Sequence, residues 1–155
     1  MDKIVIKMEQ TIYQQLIADA RAVDITRYVV GAIIPIENRI LLLHRKKDDF
    51  MGGIDEIPSG AVEENETLEE AIKREIQEET GLLVQKVTDY VGYFDYNSKT
   101  RVKTRQFNFV VTTNKAKIVP SEHDSYSWIT KEEVDKSKAT REVKKVITIY
   151  FDKYN

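Results

Sequence analysis

The chain has 155 residues, 41% of them hydrophobic and 32% charged, which is enough for one domain with a hydrophobic core and too apolar for a disordered chain. A formal net charge of −2 provides no field to attract a nucleic acid polymer or an anionic membrane, and no apolar run approaches the roughly 20 residues of a membrane span. With no cysteine, disulfides, thiolate metal sites and thiol catalysis are excluded.

In chain order, Lys3 to Lys7 alternates apolar and polar residues and predicts a short strand, and Glu9 to Ala22 has the helical spacing Ile12, Leu16, Ile17, Ala20. These form an N-terminal extension over residues 1–25, shaping either a pocket or a homodimer contact. The opening segment MDKIVIKMEQ lacks the apolar stretch of a secretory signal, so a cytoplasmic location is expected. Arg27 to Ile36 and Arg39 to His44 are strand-like runs joined at Glu37-Asn38, a tight hairpin turn, and Lys46 to Gly60 reads as a loop. Thr67 to Thr80 is the clearest helix: Thr67 with Glu70 forms a capping box, and Gly81 stands at the C-terminal cap. Strands follow around Leu82 to Asp95 and Val102 to Thr113, with a hairpin loop at Asn97 to Thr100. A short strand at Tyr126 to Ile129 and a helix over Thr140 to Phe151 close the chain. No internal repeat or linker divides it. Strands mixed with helices in this order predict a single-domain α/β sandwich over residues 1–155.

The segment Gly60 to Leu82, GAVEENETLEEAIKREIQEETGL, carries the chemistry. At about 100° per residue, Leu68, Ala71 and Ile72 form an apolar stripe, and Glu69, Lys73 and Gln77 form the opposite, solvent face. Glu75 and Glu79 fall back on the stripe, and Glu78 lies at its edge. Carboxylates facing the protein are costly to desolvate, and at i, i+3 and i+4 they crowd one another, so a multivalent cation is the expected compensation. The two histidines, His44 and His123, are far apart in sequence and read as structural. An all-oxygen donor set favours Mg2+, with Mn2+ the alternative, over zinc.

The same segment resembles the Nudix box: a Gly, five residues, a Glu, seven residues, then Arg-Glu-apolar-any-Glu-Glu-any-Gly-apolar. It supplies Gly60, Glu66 and Arg74-Glu75-Ile76-Gln77-Glu78-Glu79-Thr80-Gly81-Leu82. Ile57-Pro58-Ser59-Gly60 and Leu41 to Arg45 extend the resemblance, which spans roughly Tyr28 to Glu133. It implies a Nudix-type α/β/α sandwich with a mixed sheet, and a hydrolase that cuts the diphosphate linkage of a small nucleoside phosphate. Glu75, Glu78 and Glu79 match the family's metal-binding carboxylates, and Ser59 matches a position whose backbone carbonyl joins the shell, although the family commonly has Gly there. Glu66 and Arg74 match a structural pair between loop and helix. Arg45 resembles the family's basic substrate contact. Glu122 resembles a late loop carboxylate that serves as a metal ligand or general base. Glu75, Glu79 and Glu122 are the candidate bases.

Phe50, Tyr93, Phe94, Phe107 and Trp128 are candidates to stack on a base, most of them expected in the core, and Arg105 is a candidate phosphate contact. The proline of ADP-ribose-specific members has no match at Tyr96 and Asn97, the tyrosine of dinucleoside-polyphosphate members has none at Ser98 to Thr100, and the arginine-rich coenzyme A pattern is missing. By elimination, a (d)NTP cut to monophosphate and pyrophosphate is the expected reaction. ADP-ribose, dinucleoside polyphosphate or nucleotide-sugar hydrolysis, or a non-catalytic nucleotide-binding module, are the alternatives.

Overall fold

The computed structural model describes residues 2–48, 52–114, 117–119 and 123–154, with side chains described from Gln10 onward, Asp124 excepted. The chain opens with one helix, α1 (Asp2–Ala22). The strand expected at Lys3 to Lys7 is therefore the first part of this helix. The five-residue alternation was misleading, because Ile4, Met8, Ile12 and Leu16 recur every four residues and continue one helical stripe across both segments. No helix among the described residues is long and apolar enough to cross a membrane.

Two four-stranded sheets follow. In the first, the order is β5 (Ser59–Ala61), β1 (Arg27–Ile33), β7 (Lys103–Thr113), β6 (Val84–Asn97). It is mixed, because β1 runs parallel to β7, with Arg27 opposite Thr104 and Ile33 opposite Val110, while β5 and β6 join antiparallel. Central strands covered on both faces read as continuous apolar runs, and β1 has that composition, whereas β7 is buried along most of its length with Arg105, Gln106 and Asn108 among its apolar residues. The second sheet is antiparallel. There β3 (Arg39–Arg45) pairs with β2 (Pro35–Ile36), β4 (Asp55–Glu56) and β8 (His123–Thr130). β4 lies within the stretch expected as loop, Lys46 to Gly60, and β5 begins within it; each is too short to show periodicity in the sequence.

The layers follow from side-chain alternation along the strands. Leu41, Leu43, Phe107 and Phe109 pack with Tyr13 and Ala20 of α1 and with Leu68, Ile72 and Ile76 of α2 (Leu68–Thr80). Ile40, Leu42 and Val110 point the other way, against Val143, Val146, Ile147 and Phe151 of α3 (Arg141–Tyr154). The result is the expected α/β/α sandwich.

The start and stop of α2 are set locally. The Thr67 hydroxyl accepts from the Glu70 backbone N–H at 3.1 Å, and the Glu70 carboxylate accepts from the Thr67 N–H at 3.0 Å. Gly81 ends the helix at φ 76°, where a side chain would be strained, and its N–H bonds the Gln77 carbonyl. These caps fix which turn of α2 faces β5.

Candidate active site

Of the three acids expected to face inward from α2, the structure buries them unequally. Glu79 is only 8% exposed, and its Oε1 accepts from the Ser59 backbone N–H at 2.7 Å. Glu75 is half-buried beside Gly60, and burial pushes its carboxyl above the ordinary 4.5, opposed by the neighbouring Arg74 guanidinium. Glu78 departs from the expectation: its side chain is 58% exposed and leans toward Arg74 Nη1 at 3.3 Å. At the stripe's edge, the arginine attracts it more than the interior does.

Arg74 organises the region. Its Nε and Nη2 reach the two oxygens of Glu66 at 2.7 and 2.8 Å, its Nη2 donates to the Ala61 carbonyl, and its Nη1 donates to Glu75 at 2.7 Å. The bidentate bond to Arg74 holds Glu66 below the usual carboxylate range and raises Arg74 further above its already high value. The loop from Ala61 to Glu66 is thereby tied to α2, and Gly60 and Ser59 are held against Glu75 and Glu79.

The second sheet adds residues that the sequence reading missed. Register pairs Leu43 with Glu56 and Arg45 with His123, so β4 and β8 converge on the end of β3. Glu56 accepts from Arg45 Nη2 at 3.1 and 3.2 Å and lies 2.7 Å from His123 Nε2. His123 Nδ1 lies 3.8 Å from Glu79 Oε2. One ligand atom from each of Glu56, Glu79 and His123 lies within 4.8 Å of the other two, the only such grouping found among the described residues. The histidine expected to be structural thus stands against a box glutamate. No local pattern announced it, since 67 residues separate it from Glu56.

The remaining expected site residues divide. Arg45 is near this cluster but engaged with Glu56. Arg105, expected at phosphate, is buried, bonded to both oxygens of Asp95 at 2.7 and 2.9 Å and stacked 3.9 Å over the Tyr93 ring. Burial next to Asp95 and an aromatic face is its physical setting, in place of an open strand edge. Ser59 engages Glu79 through its N–H. Phe107 is core, Phe94 and Trp128 pack against core, and Tyr93 is exposed. Phe50 and Glu122 lie outside the described residues.

The donor set suits a hard or borderline divalent ion: carboxylates with one imidazole, and a backbone N–H that fixes the Glu79 carboxylate.

The NUDIX domain family matches residues 25–150. The chain is 41% identical over 92 residues to an ADP-ribose pyrophosphatase of Methanocaldococcus jannaschii, a match covering 59% of this chain and 49% of that enzyme, about half its length. It is 33% identical over 106 residues to an 8-oxo-dGTP diphosphatase of Buchnera aphidicola, covering 67% of this chain and 76% of that one. A MutT protein from Methanosarcina mazei has a similar crystal structure, with TM-score 0.70, 28% identity, and coverage of 83% of this chain and 94% of that one. The E. coli ORF135 protein shares the fold at TM-score 0.67 and 23% identity, covering 83% and 89%. Box, caps, sandwich and relatives agree: the chain belongs to the Nudix hydrolase family.

Proposed function

We propose that the protein hydrolyses a (d)NTP to the monophosphate and pyrophosphate in a divalent-metal-dependent reaction. The carrying observation is the buried Glu79 carboxylate, oriented by the Ser59 N–H and facing the Glu56–His123 pair. Carboxylates gathered with an imidazole at this spacing form a donor set that a divalent ion can join. Glu75, Glu78, Glu79, the Ser59 carbonyl and Glu122 are the residues we assign to hold Mg2+, with Mn2+ as substitute. When bound, the ion draws charge from the phosphate oxygens flanking the scissile bond.

The chain's own residues do the rest. Water attacks phosphorus, the P–O bond of the anhydride breaks, and the proton passes to a carboxylate, with Glu79, Glu75 and Glu122 the candidates. Arg74 holds the loop that carries Ser59 and Gly60. Arg45, beside Glu56, is the basic group assigned to substrate phosphate.

The likeness to an 8-oxo-dGTP diphosphatase supports the nucleoside triphosphate reading. The 41% identity with an ADP-ribose pyrophosphatase favours ADP-ribose as a second reading. A panel of dGTP, 8-oxo-dGTP, other (d)NTPs and ADP-ribose, with and without Mg2+, separates them by product: pyrophosphate from the first three, AMP and ribose phosphate from the last. Replacing Glu79 with Gln lowers turnover by about 10²-fold or more while the thermal midpoint is kept. Wild-type rates in that variant overturn the assignment, and nucleotide binding without any turnover in Mg2+ or Mn2+ favours a binding module instead.

A further inference from the structure

We propose that His123 is a direct nitrogen ligand, through Nδ1, of the divalent ion bound at Glu79, and that Glu56 is the positioning residue that aims it. The proposal rests on the reading of Glu79 as a metal ligand and changes the donor set from all-oxygen to mixed.

His123 is 7% exposed, with its backbone paired opposite Arg45 and its ring oriented by burial and the contact with Glu56. Nε2 lies 2.7 Å from Glu56 Oε1, and the Glu56 oxygens also accept from Arg45. Glu56 is therefore an acceptor, and Nε2 carries the hydrogen. In the neutral ring that bond leaves the lone pair on Nδ1, the form that ligates a metal. Nδ1 is buried and makes no hydrogen bond among the described residues. It faces Glu79 Oε2 at 3.8 Å, too far for a hydrogen bond. Glu79 keeps its orientation through the Ser59 N–H on its other oxygen.

A cation placed between Nδ1 and Oε2 would be bound by both donors. Ligand atoms each about 2.1 Å from one ion stand about 3 Å apart when adjacent and about 4.2 Å apart when opposite, and 3.8 Å falls inside that span. A carboxylate that accepts the far ring N–H of a ligating imidazole is the usual way such a ring is oriented and made more basic. Arg45, Glu56, His123 and Glu79 form that chain in order. An imidazole nitrogen suits Mn2+ and later first-row ions better than Mg2+, so the site discriminates toward Mn2+ more than carboxylates alone would.

The test is pulsed EPR of the full-length protein loaded with one equivalent of Mn2+. The expected result is nuclear modulation from a coordinated nitrogen-14 that changes to the nitrogen-15 pattern when histidine alone is isotope-labelled. In His123→Gln that modulation disappears and the Mn2+ dissociation constant rises about ten- to hundredfold, with a smaller loss for Mg2+. In Glu56→Gln the modulation remains but the quadrupole parameters of the remote nitrogen, Nε2, shift because its acceptor loses charge; a purely structural Glu56 leaves them unchanged. Mn2+ bound by the wild type without nitrogen modulation overturns the proposal and leaves the hydrolase reading intact, as does modulation that survives in His123→Gln. Absence of Mn2+ and Mg2+ binding together with absence of pyrophosphate release overturns both.

Discussion

The carboxyl group of Glu75 occupies the space where a side chain on Gly60 would begin. A Cβ at residue 60 would lie well inside 3.0 Å of the Glu75 carboxyl carbon and both oxygens. The first glycine of the box is therefore needed for close approach of a carboxylate to the backbone of β5. Gly60→Ala pushes aside the flexible end of Glu75, so stability falls by about 1 kcal/mol or less while Mg2+ affinity falls roughly tenfold or more. Calorimetric titration with Mg2+ alongside a thermal melt checks both halves. Unchanged affinity would remove Glu75 from the metal shell.

Gly31 serves a buried amide pair in the same way. Its missing Cβ would stand 2.5 Å from Asn108 Oδ1 and 2.5 Å from Gln106 Nε2, which bond each other at 2.9 Å. Gly31→Ala should cost about 1–3 kcal/mol by overpacking. In a double-mutant cycle with Gln106→Ala the two losses should sum to more than the double variant shows, because shortening Gln106 makes room for the added methyl. Strict additivity in urea unfolding would contradict the contact.

Acid should weaken the Arg74 hub. Hydrogen bonding to Arg74 holds Glu66 below 4.5 in the folded state, so the ionised form is the one that folding favours. Its contribution is full above pH 4.5 and is lost as pH falls through the depressed value. The stability advantage of wild type over Glu66→Gln, measured by denaturant unfolding, should be constant near neutrality and close below pH 4.5. An advantage that persisted to pH 2 would show that the charge of Glu66 contributes nothing.

Arg105 should behave as a structural residue. Arg105→Lys loses the bidentate bond to Asp95 and the stacking over Tyr93, lowering stability by about 1 kcal/mol. The nucleotide KM should stay within about twofold of wild type. A tenfold rise in KM without loss of stability would restore the phosphate-binding role expected from its position in the sequence.

Much of the site could be read from residues 60–82 alone. Caps, apolar stripe and acid spacing are local, because i, i+3 and i+4 relations in a helix follow from its pitch and do not depend on the rest of the chain. Thus Thr67, Gly81, Glu75 and Glu79 stand where helical geometry puts them. Glu78 sat on the boundary of that geometry, and the choice between core and solvent fell to Arg74, a competing partner that a helical projection does not weigh. The N-terminal alternation over Lys3 to Lys7 failed for a related reason. Five residues satisfy both periods, and only the continuation into Met8, Ile12 and Leu16 distinguishes them.

The order of residues by itself determined the family, the sandwich and the carboxylates of one helix, since each is encoded in contiguous sequence or in local periodicity. Only the tertiary structure decided that Glu56 and His123 meet Glu79, with Arg45 bonded to Glu56. Their meeting is made by β3 pairing with β4 on one side and β8 on the other, and strand register couples residues through hydrogen bonds across the sheet whatever their separation along the chain.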